Sequence, residues 1–336
     1  MSQNLTTLWI AAAVAVSVMG VLLWKKKKHS FVKVGTISKL YFFPVKSLRG
    51  IEIKEGKCTK QGFEVNGLLD RSFMLVNSEG SVITLEKYPS LALLTLQIYD
   101  TILTISTPSG KKLNVDIKDS VSPDDKIIRC RVSNDFTQAV DCGDEAASFF
   151  QAYLNTPDAR LVRHFSVLSK RQYQPKGKGK SFERQLRKEN PNLAFQSLAA
   201  FHVVSKPSVD DLNSKLQGHK VSEVNFRPNI LIDGCNAFEE DSWKYIKFNS
   251  GVLLYNFTLF QRCLSTTVDP DTGDMNIKEP LKTLRKYRIP TEPEILEKTG
   301  PLPCLGIGCE VLRTGDIAVG DDVLAAVGPQ PKMREK

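Results

Sequence analysis

Apolar residues fall along this chain in two rhythms: one nearly continuous run close to the start, then short alternating stretches that recur to the end. The run from residue 8 to residue 24 is interrupted only by Ser17 and Gly20, and residues 1–24 carry no charged side chain. As a helix rising 1.5 Å per residue it reaches about 26 Å, enough for a thin bilayer once Thr6 and Thr7 enter the interface. Trp9 and Trp24 stand near its two ends, where indoles favour the membrane–water boundary, and Lys25 to Lys28 follow at once. A cleaved signal peptide would carry its positive charge first and have a shorter apolar core. The pattern therefore predicts a retained single-pass transmembrane anchor with its basic flank over residues 1–29, the lysines marking the cytosolic side on which the rest of the chain lies. A helix this short and weakly hydrophobic suits a bilayer thinner than the plasma membrane.

Beyond residue 30 the period shortens to two. Residues 34–43 read as a strand stopped by Pro44, and residues 72–76 as a second, followed by the hairpin connector Asn77-Ser78-Glu79-Gly80. Further strands are predicted over residues 91–98 and 102–107, before Pro108-Ser109-Gly110. Short strands without long helices between them argue a barrel or sandwich-like unit and against a doubly wound sheet. Residues 144–154 have the alanines and aromatics of a short helix ended by Asn155-Thr156-Pro157, which links a first unit, residues 31–160, to a second, residues 165–328. The second opens on the apolar strand Phe201-His202-Val203-Val204. Ser208 is then the predicted N-cap of a helix, with Asp211 three residues on and Val209, Leu212 and Leu216 on one face. Later strands are predicted at residues 230–232, 251–260, 310–312 and 322–326. The expected fold class is mostly β (α+β): a transmembrane helix, a β-barrel-like first unit, and a β-barrel second domain with peripheral helices.

A length of 336 residues suits two packed units better than one small core, and the charged fraction of 25% and hydrophobic fraction of 41% are those of an ordinary folded protein. Part of the net charge of +9 comes from Lys25 to Lys28. The remainder, without a stacking or groove-reading motif, does not point to nucleic acid. Seven cysteines, an odd number spread over a long chain, fit a reducing compartment and free thiols better than a disulfide scaffold. Cys304 and Cys309 are close enough in sequence for a redox pair or half of a metal site, but the second pair that zinc needs is missing. Residues 170–188 carry eight cations against the single acid Glu183, with Gly177 and Gly179 among them. With no apolar periodicity, this stretch is expected to be an exposed loop, either plainly solvated or a docking patch for an acidic protein partner.

No Walker A loop, dinucleotide fingerprint, Gly-x-Ser-x-Gly elbow or His-Glu-x-x-His helix is present, and the four histidines do not form a hydrolytic set. What recurs is a basic or amide side chain where a predicted strand stops or starts: Pro44-Val45-Lys46-Ser47, Asp70-Arg71, Arg227-Pro228-Asn229 and Arg262-Cys263. Gathered together, these would form an anion-binding cleft, because guanidinium forks grip phosphate and planar polar rings. A cysteine beside such charges is expected to have a lowered pKa and to act as a nucleophile or a soft metal ligand. The alternative for Cys263, a small buried hydrophobe, sits poorly with the polar, turn-rich residues 264–273 that follow.

Phe43-Pro44-Val45-Lys46-Ser47, Asp70-Arg71, Asn225-Phe226-Arg227-Pro228-Asn229 and the long segment Arg262-Cys263-Leu264-Ser265-Thr266-Thr267-Val268-Asp269-Pro270-Asp271-Thr272-Gly273, with Lys278-Glu279-Pro280-Leu281 after it, resemble the MOSC-domain proteins. Within them the chain is similar to the mitochondrial amidoxime-reducing component family, over essentially its whole length. The resemblance implies a molybdenum cofactor, Mo-molybdopterin, with Cys263 as thiolate ligand to the metal. It implies that Lys46, Ser47, Arg71, Arg227, Asn229, Gln261 and Arg262 hold pterin and phosphate, and that the loop from Gln196 to Ala200, including Leu198 and Ala199, adds backbone contacts. Asp269 would lie near the open side of the metal and handle protons. The implied activity is reduction of amidoximes, N-hydroxyguanidines and hydroxamic acids to amidines or amines, with nitrite as a further implied acceptor. Electrons would come from NADH through NADH-cytochrome b5 reductase and cytochrome b5, and the implied location is the mitochondrial outer membrane, with the body facing the cytosol. Two departures stand out: Leu198 and Ala199 replace the hydroxyls of some relatives, and residues 302–309 replace a more aromatic segment, which alters the cleft wall. The rival readings are a membrane-bound cofactor carrier or sulfur-transfer module, and a scaffold that docks partners through the basic loop.

Overall fold

The computed structural model describes residues 30–133, 135–169, 171–173, 193–218 and 220–334. The first half runs β1 (Val32–Phe42), β2 (Ile51–Ile53), β3 (Glu55–Thr59), β4 (Gly62–Val65), β5 (Leu68–Leu69), β6 (Phe73–Val76), β7 (Thr95–Tyr99), β8 (Ile102–Ser106), β9 (Lys112–Asp116), β10 (Ile127–Val132), β11 (Asp135–Asp141) and α1 (Asp144–Leu154). The second half continues with β12 (Arg160–Arg163), β13 (Gln172–Tyr173), β14 (Phe201–Ser205), α2 (Lys206–Lys215), β15 (Ile230–Asp233), β16 (Trp243–Phe248) and β17 (Leu253–Gln261). Then come α3 (Leu281–Tyr287), α4 (Pro293–Thr299), β18 (Cys304–Arg313), β19 (Gly315–Ala318) and β20 (Asp322–Val327).

Seven strands close into a barrel in the order β15-β14-β18-β17-β16-β20-β1, and β1 returns to β15 with Ile37 opposite Ile232 and Leu40 opposite Ile230. Alternation fills it: Ile37, Leu40, Val203, Ile230, Ile246 and Ile307 belong to one buried cluster. Its one parallel pair, β14 with β15, needs a crossover, and α2 supplies it. Val209, Leu212 and Leu216 pack on Val204, Leu231 and Leu305, so β14 is covered on both faces and every one of its residues is buried. Around the barrel lie a sheet ordered β10-β11-β12-β6, the meander β7-β8-β9, and the sheet β19-β3-β4-β5, in which a late strand pairs with early ones. The halves therefore interlock.

Several expectations are corrected. Among the described residues no helix is long and apolar enough to cross a membrane. The eleven residues of α1 reach only about 16 Å, half a bilayer core. Residues 1–29, which carried the expected transmembrane anchor, lie outside the described residues, so neither the anchor nor the outer-membrane placement is carried forward. The cap of α2 is Ser205, whose hydroxyl accepts from Ser208 N at 3.3 Å, three residues earlier than expected, because Pro207 lies in the first turn. Residues 89–93 form a 3-10 turn before β7, and the buried Leu91 and Ala92 imitate a strand. Cys304 and Cys309 are free thiols five residues apart along β18, roughly 16 Å in extended chain, and so do not pair. Of the basic stretch, residues 170 and 174–188 lie outside the described residues. Arg171 is buried, not solvated, and pairs with Asp135 at 2.6 Å.

Under the start of α2, the fully buried Glu240 accepts from Ser205 Oγ at 2.8 Å, Ser208 Oγ at 2.9 Å and Ser205 N at 3.2 Å. Burial, reinforced by the neighbouring Asp241, raises its pKa from 4.5 to about 7. A folded pKa above the unfolded one means that this group's contribution is fully present below about pH 4.5 and is lost as pH rises through about 7, by about 3 kcal/mol in total. Glu240→Gln is expected to remove that decline. By urea titration the variant should be more stable than the parent at pH 8 and close to it at pH 4.

Candidate functional site

The chain leaves β1 through Pro44 and turns back along β6, Lys46 N donating to Phe73 O at 2.8 Å. This sets Lys46 and Ser47 at the edge of a cleft of about 430 Å³ that is also lined by Arg71, Arg227, Arg262 and Cys263. Ser47 (φ 72°), Arg71 (φ 53°) and Arg227 (φ 55°) all adopt the left-handed conformation that side chains other than glycine rarely take. Such strain persists only where surrounding contacts fix it, and for Arg71 the chief contact is one buried carboxylate.

Asp70 is completely buried; it accepts from Phe43 N at 2.8 Å and Asn229 Nδ2 at 3.2 Å, and pairs with Arg71. Burial raises its pKa in spite of the neighbouring Arg71 cation. Arg71 donates further to Asn229 Oδ1 and to Arg227 O, each at 3.3 Å. The guanidinium groups of Arg71 and Arg227 each stand 4.5 Å from the centroid of the Phe43 ring. Arg227 Nη1 donates to Leu48 O at 2.6 Å, whereas its buried Nη2 has no hydrogen-bond partner among the described residues. Burial, then Arg71, pushes the pKa of Arg227 down to about 9. Arg71 pairs with the carboxylate and the Arg227 guanidinium stands beside that pair without bonding to the carboxylate, which leaves a cationic surplus and an unused donor, the electrostatics of a seat for an anion.

The far wall comes from residues 195–200 and from the end of β17. Lys46 Nζ donates to Phe195 O at 2.9 Å and to Ser197 Oγ at 2.8 Å. Leu198, Ala199, Gln261, Phe260 and Leu302 line the cleft beside them. Arg262 turns into the barrel: Nε donates to Leu305 O at 2.9 Å, Nη1 to Phe226 O at 3.1 Å, and Nη2 meets His202 Nε2. Burial and Arg262 hold the His202 pKa well below its ordinary value, so the imidazole is neutral. Gly306 (φ 75°) permits this packing, since a Cβ there would stand 2.6 Å from Val203 O and 2.8 Å from His202 Nε2.

Cys263 is exposed, with Sγ 3.1 Å from Ser265 Oγ. Its expected low pKa is corrected: it is raised, first by partial burial of the sulfur and then by Glu86. The Arg262 guanidinium that was to lower it spends its donors on Leu305, Phe226 and His202. Asp269 is not among the cleft-lining residues; its carboxylate accepts from Asp271 N at 2.8 Å and Thr272 N at 2.9 Å within its own loop. Asn229 and the remaining residues named from the motifs meet at this cleft. Glu86 and His202, which also line it, were missed: an apolar strand hid the histidine, and nothing in the sequence marks the glutamate.

Among the described residues no group of three or more His, Cys, Asp or Glu could hold a metal alone. A metal at Cys263 would therefore have to bring most of its own ligands. A soft sulfur beside a cationic seat, with Arg227 Nη2 and Gln196 Oε1 buried and without a hydrogen-bond partner among the described residues, fits an anionic organic cofactor that carries a thiophilic metal.

Residues 34–157 match the MOSC N-terminal beta barrel domain and residues 190–324 the MOSC domain. The chain is thus of the MOSC class. The chain is 34% identical over 330 residues to mitochondrial amidoxime reducing component 2 of Rattus norvegicus, covering 95% of this chain and 94% of that one. It is 34% identical over 325 residues to component 1 of Mus musculus (94% and 91% covered) and 33% identical over 312 residues to component 1 of Homo sapiens (91% and 88%). It belongs to the amidoxime-reducing component family of MOSC-domain oxidoreductases.

Proposed function

We propose that this protein is a molybdenum-cofactor-dependent reductase of N-hydroxylated compounds: amidoximes, N-hydroxyguanidines and hydroxamic acids. The observation that carries the reading is the exposed Cys263 thiol on the same cleft as Lys46, Arg71 and Arg227. Cys263 would be the protein's thiolate ligand to the metal. Lys46, Ser47, Arg71, Arg227 and Asn229 would hold the pterin and its phosphate, with Gln261, Arg262 and the backbone at Leu198 and Ala199 completing the wall. When bound, the cofactor supplies the two-electron redox chemistry that no side chain here offers.

The protein's share is binding, orientation and exclusion of water. Arg227 Nη2 would give a donor to the anionic group, the buried Asp70 fixes Arg71 and Asn229, and Phe260, Leu198 and Leu302 line the same cleft as the thiol and give it an apolar wall. Asp269 holds the loop that follows Cys263 through its backbone contacts. Overall, two electrons and two protons convert an N–OH to an N–H and release water. NADH is the proposed electron source, through NADH-cytochrome b5 reductase and cytochrome b5; the net charge of +9 suits an acidic donor, and nitrite is a further proposed acceptor.

The test is the cofactor-loaded full chain with cytochrome b5, its reductase and NADH. Benzamidoxime should yield benzamidine, one for each NADH consumed. A loaded protein inert on benzamidoxime and other N-hydroxylated compounds would overturn the reductase reading in favour of a cofactor carrier or sulfur-transfer module.

A further inference from the structure

Cys263 stands at the edge of the barrel, where β17 gives way to the 3-10 turn Leu264–Thr267 and then to the polar residues 269–274. Side chains from elsewhere tie this segment down. Asn225 Nδ2 donates to Val268 O at 3.0 Å, Arg49 reaches Pro270 O at 3.1 Å and Asp271 Oδ1 at 2.9 Å, and Glu86 Oε1 accepts from Ser265 N at 3.2 Å. They are not equal. The Arg49–Asp271 pair is exposed, with 74% of the Asp271 side chain open to solvent, so it contributes little. Asn225 acts three or more residues beyond the sulfur. Of these three, Glu86 holds the residue whose hydroxyl lies 3.1 Å from Cys263 Sγ, and it does so from the first half of the chain, between β6 and β7.

We propose that Glu86 is a positioning residue: by accepting the Ser265 N–H it fixes the turn that presents the Cys263 thiol to the cleft, so that the first half of the chain sets the aim of a sulfur carried by the second. The barrel fixes Cys263 only on its N-terminal side, where Arg262 N donates to Pro303 O at 2.8 Å. On the other side the turn has no side-chain cap of its own, since Cys263 is its N-cap and makes no capping hydrogen bond. A half-buried carboxylate acceptor supplies that constraint at the Ser265 amide, within the first turn. Its consequence for metal retention rests on the reading of Cys263 as a ligand; the geometry does not.

The test uses the full chain with Glu86→Ala, Glu86→Asp and Glu86→Gln. Gln removes the charge and keeps an acceptor in place; Asp keeps the charge and withdraws the acceptor by one methylene. In cofactor-free protein, the iodoacetamide labelling rate of Cys263 per thiolate, taken by mass spectrometry from the plateau of its pH profile so that the effect of the Glu86 charge on the thiol pKa drops out, is expected to be about fivefold faster in the Ala and Asp variants and within about twofold of the parent in Gln. After cofactor loading, molybdenum affinity should fall about 10-fold in Ala and Asp and be retained in Gln, the low end of what an outer-shell partner contributes. Labelling that follows charge, with Gln shifted and Asp unchanged, or labelling equal in all variants, overturns the proposal. If Glu86→Ala does not fold, the contrast between Asp and Gln decides alone. A labelling contrast as expected, in a protein whose parent form retains no molybdenum, leaves Glu86 in its role and defeats the cofactor reading instead.

Discussion

Cys263→Ala is expected to abolish molybdenum retention and reduction of N-hydroxylated compounds together, with the fold unchanged. The side chain is exposed and its hydrogen bond is to Ser265 Oγ, so truncation should cost less than about 1 kcal/mol of stability. The chemical loss is of another order. With no three-residue His/Cys/Asp/Glu set among the described residues to take over the metal, removal of the single protein sulfur leaves only the ligands that the cofactor brings. Turnover should fall by more than about 100-fold, beyond the loss of an outer-shell partner. Cys263→Ser, similar in shape but a harder donor, should behave like the alanine variant if softness is what matters. Elemental analysis, benzamidoxime turnover and urea denaturation on the same samples check this. Unchanged molybdenum in a folded variant would remove Cys263 from the inner shell.

The second large effect is expected at Asp70. Asp70→Ala strips the buried carboxylate from Arg71, leaves Phe43 N without its acceptor and leaves Asn229 Nδ2 with Tyr41 O alone, at 3.3 Å. Breaking such a buried pair from one side destabilises by about 3–5 kcal/mol, because the remaining cations stay desolvated. Here the nearby Arg227 already has its pKa pushed down to about 9 by burial and by Arg71, so the loss of negative charge falls on two guanidiniums. Asp70→Asn keeps an acceptor for Phe43 N and should lose less. Urea titration of both variants gives the ordering, and an Ala variant as stable as the parent would show that the two arginines do not depend on this carboxylate.

Much of the fold can be read from residue patterns. β1, β8, β14, β15, β17 and β20 follow runs of alternating or apolar residues, and α1 ends at Asn155 in the left-handed conformation, where the Asn-Thr-Pro stop predicts. Closure of the barrel is not visible in this way. Nothing in residues 32–42 tells that they pair with residues 230–233 and 322–325, since pairing across such distances depends on shape formed elsewhere. Local signals also mislead when two residues offer the same chemistry: Ser205 and Ser208 are both hydroxyl caps, and Pro207 decides between them.

The cleft is legible in composition and less so in its electrostatics. Arginines and amides at strand ends mark Arg71, Arg227 and Asn229, but sequence does not give the direction of a side chain. Arg262 adjoins Cys263 in sequence and yet spends its donors on Leu305, Phe226 and His202 inside the barrel. Glu86, far away in sequence, faces the thiol and raises its pKa. In the same way, Arg171 belongs by sequence to a basic stretch and by packing to a buried ion pair with Asp135.

The return of β1 to β15 also bears on how the polypeptide matures. The opening strand must wait for partners made from the far end of the chain, so the ring shuts late, at a high cost in loop-closure entropy. Until it does, β15 and β20 each present an unpaired edge, the kind of surface on which a nascent chain recruits a neighbouring copy. A fragment beginning after α1 would never lose those edges.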